Sequence, residues 1–286
     1  MREFVSTLKY VSIAALLVVL AGVFSLLPSD FRGGSRHAAA VASPFLYTFN
    51  SNGALNEASS MSDSSSPYWW VNSGGRLLMD SGLGSTMQGD APLLDRWRVA
   101  YAISNPVDTD LGLHPQNIFR LVSRSVWGNV RVDAEFKIVK DNWSKSPNRN
   151  ASNGILLMSR YRDSDTLYYA GLRVDGNAVI KKKYNGTYYT MAQKKIYAGE
   201  YVSGGKVNVL PHNKWLQVRS ETVTNDDGSV TVRLWQKQTD GSWKKLLEAK
   251  DSGQYGATSP ITDEGYFGVR TDFMDIAFDS LRAETI

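Results

Sequence analysis

The segment Val130-Arg131-Val132-Asp133-Ala134-Glu135-Phe136-Lys137-Ile138 alternates without a break, with Val130, Val132, Ala134, Phe136 and Ile138 on one side and charged residues on the other. A period of two describes an extended strand with one face in an apolar core and the other in water. Further runs rich in Val, Ile, Thr, Tyr, Phe and Trp read as strands at 117–126, 153–161, 167–175, 178–184, 187–192, 214–223, 229–237, 243–249, 265–271 and 274–284. Between them stand Asp175-Gly176-Asn177, Tyr184-Asn185-Gly186, Asp226-Asp227-Gly228 and Asp240-Gly241-Ser242. These breakers suit tight hairpins, because Gly, Asn and Asp tolerate the positive φ such turns demand. After Ser43 there is almost no apolar pattern of helical period, so the crossover helices of a parallel sheet are missing. The expectation is an all-β antiparallel β-sandwich of the jelly-roll type.

The N-terminus obeys different rules. Arg2 and Lys9 precede an apolar run of 17 residues, Val11 to Leu27, and small residues follow at His37-Ala38-Ala39-Ala40-Val41-Ala42-Ser43. This order marks a targeting segment, 1–42, read as a signal peptide or an anchor helix. The run is just short of the ~20 residues a membrane span prefers, so its length fits either; Ala40-Val41-Ala42 favours cleavage before Ser43. Both routes place residues 43–286, one sandwich domain, outside the cytoplasm, secreted or at the cell surface.

A domain of this size buries a full core without disulfides, which agrees with the absence of cysteine. The formal charge of +4 includes Arg2, Lys9, Arg32 and Arg36 against Glu3 and Asp30, so the remainder stands near +2. Such a domain lacks the global basic footprint of a nucleic-acid binder. Without cysteine, and with only His114 and His212 in the domain, zinc is disfavoured. The polar stretches 51–66 and 141–152 read as loops, the second as a rim over a binding face.

Two stretches carry a family resemblance. Asn153-Gly154-Ile155-Leu156-Leu157-Met158-Ser159-Arg160-Tyr161-Arg162-Asp163 with Leu167-Tyr168-Tyr169-Ala170-Gly171-Leu172-Arg173 resembles the paired strands of concanavalin-like, laminin-G-type jelly rolls. Gly265-Tyr266-Phe267-Gly268-Val269-Arg270-Thr271 and Ile276-Ala277-Phe278-Asp279-Ser280-Leu281 are similar to that superfamily's closing strands. The resemblance spans roughly residues 45–286 and implies the fold more than a function, since lectins, hydrolases, lyases and adhesion modules share it. It also implies a structural calcium tying the first and last strands, with Asn50 and Asp279 in the comparable places. Oxygen donors of this kind suit Ca²⁺.

Catalysis is narrowed mainly by subtraction. The Glu-x-Asp-x-(x)-Glu array of the superfamily's glycosidases does not occur, and Asp133 and Glu135 alternate with Arg131 and Lys137 as a solvated charged face. A weaker likeness to alginate lyases of jelly-roll type places Tyr169-Ala170-Gly171-Leu172-Arg173 where their last motif falls, making Tyr169 and Arg173 the candidate catalytic residues. There is no Gln-x-His, and Arg173 occupies the place of the catalytic tyrosine. The expected ligand contacts are Arg120, Arg124, Trp143, Arg160, Arg162, Lys181 and Tyr188, clustered on a concave sheet. Arginine and lysine there would meet carboxylates or sulfates, and tyrosine or tryptophan would stack on sugar rings. Trp143 sits in a polar loop with no apolar neighbours, whereas Trp215 and Trp235 are expected in the core. The reading is therefore a carbohydrate-binding sandwich for an acidic polysaccharide. Its alternatives are a lyase cleaving a uronic-acid polymer by β-elimination and an adhesion or structural module without a sugar site.

Overall fold

A computed structural model describes residues 41–256 and 259–286 of the chain. The targeting segment expected at 1–42 falls almost wholly outside these residues. Strands come in the order β1 (Phe45–Tyr47), β2 (Gly53–Asn56), β3 (Trp69–Ser73), β4 (Arg76–Asp80), β5 (Leu83–Ser85), β6 (Ile118–Trp127), β7 (Val130–Asp141) and β8 (Gly154–Asp163). They continue with β9 (Thr166–Arg173), β10 (Asn177–Tyr184), β11 (Thr187–Lys195), β12 (Trp215–Thr224), β13 (Val230–Lys237), β14 (Trp243–Asp251), β15 (Gly265–Asp272) and β16 (Met274–Thr285).

Two antiparallel sheets result. A nine-stranded sheet runs β14-β13-β12-β7-β16-β5-β4-β2 with β1 added on β16, and a seven-stranded sheet runs β11-β10-β9-β8-β15-β6-β3. The jelly-roll sandwich expected from the alternation is the fold. In the larger sheet Val218 pairs with Ala134 and Ala134 with Leu281, so one row of apolar side chains turns inward. Against it the smaller sheet presents Phe119, Leu121, Ile155, Leu157, Leu172, Ile180 and Val269, all buried. Phe278 touches Phe119 with ring centroids at 5.7 Å, and Trp69 meets Phe267 edge-on at 5.5 Å. Each such side chain contributes about 1.5–3 kcal/mol by leaving water.

An ion pair lies within this core. Lys182 and Asp251 are both fully buried and pair at 2.8 Å, and the Tyr168 hydroxyl donates to Asp251 at 2.6 Å. The Lys182 ammonium also donates to the Ser259 carbonyl at 3.0 Å, and the Ile261 amide to the Tyr168 oxygen at the same distance. Burial, then the bond to Asp251, pushes the Tyr168 phenol far up. Because strand side chains alternate, seating Lys182 in the core turns Lys181 and Lys183 to the outer face.

The structure corrects several expectations. The loop 51–66 contains the short strand β2, and β3, β4 and β5 carry too few alternating residues to stand out. A helix, α1 (Arg96–Ser104), was not expected. The Asp95 carboxylate caps it by accepting from the Trp97 amide at 2.8 Å. Only Tyr101 of the helix is buried, so there is no apolar stripe to read. Trp215 and Trp235 are not core residues. Trp215 is 38% exposed and out of phase with buried Leu216 and Val218; Trp235 pairs with Arg219 on the outer face.

Candidate functional site

The outer face of the seven-stranded sheet holds a second apolar layer, Val122, Leu156, Met158, Tyr161, Leu167, Tyr169 and Val179, against which Met61, Trp70 and Tyr266 pack. Trp69 goes to the core while Trp70 lies over this outer layer, its indole N–H donating to the Ala58 carbonyl at 2.9 Å. Gly171 and Gly268 lie on the same face, where a Cβ would run into the Ile155 and Leu121 carbonyls of the neighbouring strands. Their lack of a side chain lets the central strands crowd together on this side.

Over that floor opens a cleft of about 680 Å³. Leu156, Tyr169 and Val179 form its base, Arg120, Lys181 and Arg270 bring positive charge, and amides from Asn72, Asn105, Asn148 and Asn150 line the rim. Strand register places Arg120 directly opposite Arg270. Arg270 is the centre of the array. Its Nη1 donates to the Tyr188 hydroxyl at 2.9 Å and the Tyr169 hydroxyl at 3.1 Å, and its Nε to Asp272 at 2.7 Å. The two tyrosine rings stack at 6.0 Å with a 24° interplanar angle. Arg120 donates to the Asn72 side-chain oxygen, Oδ1, at 3.2 Å. Among the described residues, neither Arg120 nor Lys181 has a carboxylate within ion-pair distance.

These contacts divide the two phenols. Burial pushes Tyr169 up to about 12, against the pull of Arg270. Burial acts on Tyr188 in the same direction, but the Arg270 guanidinium and the Lys183 ammonium outweigh it and hold this phenol below its usual range. Lys183 lies 4.9 Å from the Tyr188 ring centroid and Lys181 5.8 Å. Lys181 is itself lowered, by burial first and then by Arg173 and Arg270. On the far wall, burial would raise Asp108. Hydrogen bonds from Ser146 at 2.5 Å, Asn148 at 3.0 Å and Asn105 at 3.1 Å overcome this and lower it. Asp108 thereby ties the loop 141–152 to the segment after α1.

The cleft thus gathers four of the residues singled out from sequence: Arg120, Tyr169, Lys181 and Tyr188. Arg173 stands nearby with its donors occupied, by Asp175 at 2.7 Å, Gln193 at 2.8 Å and the Ala151 carbonyl at 3.1 Å. Arg124 is buried and donates to the Ser66 carbonyl at 2.6 Å. Arg160 and Arg162 lie toward the other end of β8, roughly 20 Å from Gly154 at ~3.3 Å per residue. Arg160 bonds to Asn129 and Thr224 there, and Arg162 pairs with Asp263. Trp143 is 55% exposed and does not line the cleft. The Asn50 amide donates to the Thr48 hydroxyl at 2.8 Å, and among the described residues no group of three or more His, Cys, Asp or Glu could hold a metal ion at Asn50, Asp279 or elsewhere.

Arg270, Asp272, Asp108, Asn72 and Asn105 were not singled out for the cleft from sequence, whereas Asn148 and Asn150 belong to the loop 141–152 read as a rim. Arg270 and Asp272 had a legible signal, since both fall on the outward phase of a strand whose inward residues are Phe267 and Val269. Asp108 had none, because it reaches the cleft through loop contacts distant in sequence.

No family model matches the chain, and no curated protein matches it. Among solved structures, it is similar to the carbohydrate-binding module CBM66 from Bacillus subtilis, at 17% identity and a TM-score of 0.41, covering 59% of this chain and 83% of that one. It is also similar to the exoplasmic/lumenal domain of VIP36 in a Ca²⁺- and mannose-bound form, at 11% identity and 0.44, covering 85% and 92%. A third is the Bacillus licheniformis beta-glucanase, at 10% identity and 0.44, covering 86% and 100%.

Proposed function

We propose that the chain binds an acidic polysaccharide outside the cytoplasm, in the cleft on the outer face of the seven-stranded sheet. The observation that carries this reading is the placement of Arg120 opposite Arg270 with Lys181 on the same face. Like charges directly opposite in a sheet are destabilising, and Asp272 offsets only one of the three. A carboxylate- or sulfate-bearing sugar would supply the missing anions, and arginine can grip each with two parallel hydrogen bonds. Stacked Tyr169 and Tyr188 offer a flat edge for a sugar ring, and the rim asparagines supply donors and acceptors for hydroxyls.

Titrating the full chain calorimetrically with polygalacturonate, alginate and a neutral β-glucan tests the reading. Binding to an acidic polymer, weakened about tenfold or more in Arg120→Gln and Lys181→Gln, is the expected result; tenfold corresponds to about 1.4 kcal/mol. No binding to any polymer would leave an adhesion or structural module.

A second reading rests on the lowered Tyr188 phenol. In a β-elimination, ionised Tyr188 would take the C5 proton of a uronate whose carboxylate lies against the arginines. The electron pair would form the C4–C5 double bond as the C4–O bond breaks, with Lys181 protonating the departing oxygen. Absorbance near 235 nm on the same polymers reports the unsaturated ends, and a flat trace on every one removes this reading.

A further inference from the structure

The end of the sandwich where β12 begins and β13 finishes has a separate cleft of about 560 Å³. Six lysines line it, Lys194, Lys195, Lys214, Lys237, Lys244 and Lys245, and no carboxylate does. Two acids adjoining the lining residues in sequence are already engaged. Glu248 accepts from Lys245 at 2.8 Å and from Arg233 at 2.9 Å, and Asp240 accepts from Ser242 in its own turn. Lys195 is occupied as well, donating to the Gly199 carbonyl at 2.6 Å. Lys194, Lys214, Lys237 and Lys244 have no hydrogen-bond or ion-pair partner among the described residues and are all exposed.

Edge protection accounts for part of this. β11 and β14 are the outer strands of their sheets, and lysine on an edge discourages strand-to-strand association. That argument does not reach Lys214, which leads into interior strand β12, or Lys237, at the end of interior strand β13. Nor does it explain Trp215, which stays 38% exposed in the same cleft with the Lys137 ammonium 4.9 Å from its ring centroid. Six cations on a domain whose net charge is near +2 are a concentrated local field, strong enough to gather a polyanion from solution.

We infer that this cleft is a second binding site, for a linear polyanionic polysaccharide whose charges engage the lysines while a sugar ring stacks on Trp215. Lysines are point charges without a fixed fork, and they suit charges repeated along a flexible polymer better than one precisely held group. An anionic lipid surface fits less well. The lysines line a concave cleft, and Trp215 is only 38% exposed within it, which suits a chain laid into the cleft better than a flat bilayer. The inference stands whether or not the sheet-face cleft binds a glycan.

The test uses the full chain with dextran sulfate and uncharged dextran, across a range of salt. Two variants are compared, Lys194→Gln/Lys214→Gln/Lys237→Gln/Lys244→Gln and Arg120→Gln/Lys181→Gln, with anionic vesicles of phosphatidylglycerol and duplex DNA as competitors. The expected result is affinity for dextran sulfate but not dextran, lost at least tenfold in the four-lysine variant and kept in the other. The slope of log affinity against log salt should flatten by about 3, near the counterions four lysines release. Trp215→Ala should weaken binding without changing that slope. Unchanged affinity in the four-lysine variant overturns the inference, including the case where the variant merely aggregates more, and so does equal competition by vesicles or DNA. A loss confined to the Arg120/Lys181 variant assigns the polymer to the sheet-face cleft and overturns it too.

Discussion

Replacing Asp251 with Asn tests the buried ion pair most directly. The substitution keeps the shape but removes the charge that faces the Lys182 ammonium at 2.8 Å, with both side chains 0% exposed. An ammonium left without its carboxylate keeps the Ser259 carbonyl and little else, and breaking a buried pair from one side costs about 3–5 kcal/mol. Tyr168 contributes to the loss, because its hydroxyl donates to Asp251 at 2.6 Å and an amide is a weaker acceptor than a carboxylate. For a domain of this size, 1 kcal/mol moves the midpoint of thermal unfolding by about 2–4 °C, so Asp251→Asn should melt roughly 10 °C lower. Lys182→Met/Asp251→Leu removes both charges, and it should recover most of the difference because packed apolar groups replace buried pairs at little cost. Urea unfolding followed by tryptophan fluorescence supplies the free energies. A single variant within 1 kcal/mol of the parent, or a double variant no better than the single, would refute the claim that this pair is held as a unit.

Two further outcomes follow from the charge environment. Asp141 holds the His212 imidazole above its usual value, at 3.0 Å, so the protonated ring is favoured in the folded state. Stability from His212 is therefore complete below the unfolded value of about 6.5 and lost as pH rises through the higher folded value. The difference in unfolding free energy between the parent and His212→Gln should shrink between pH 6 and pH 9, and a constant difference contradicts the pairing. In the sheet-face cleft, Arg270→Gln should remove the cation that pulls down both Tyr188 and Tyr169, so phenolate absorbance at 295 nm should show Tyr188 titrating at higher pH than in the parent, with Tyr169 moved further up. An unchanged titration curve would show that Arg270 does not set the ionisation of either phenol.

Strands β7, β12 and β16 were legible because alternation and burial coincide in them. At β12 the same rule was sufficient to turn Trp215 outward, since Leu216 and Val218 define the inward phase; a preference for burying tryptophan hid it. Helix α1 could not be read, because the Asp95 cap and Tyr101 position it rather than an apolar stripe. Arg120, Tyr169, Lys181 and Tyr188 were recoverable from composition on neighbouring strands. Their common cleft depends on register, which sets Arg270 beside Arg120 across 150 residues of chain. Arg160 and Arg162 show the converse: they follow closely on Met158, which pairs with Tyr169, yet across a break in the β8–β9 register they turn to Asn129, Thr224 and Asp263 instead of the cleft.

The position of Val41 has a mechanical consequence. Val41 lines one end of the sandwich with Arg160 and Thr285, whereas Asn153, Asp272 and Lys181 line the sheet-face cleft toward the other. A pull on the chain at Val41 would reach the sandwich through β1, whose ladder with β16 runs from Phe45–Ala283 to Tyr47–Leu281. Those bonds would load together in shear rather than peel one at a time, the geometry in which a short strand best withstands drag.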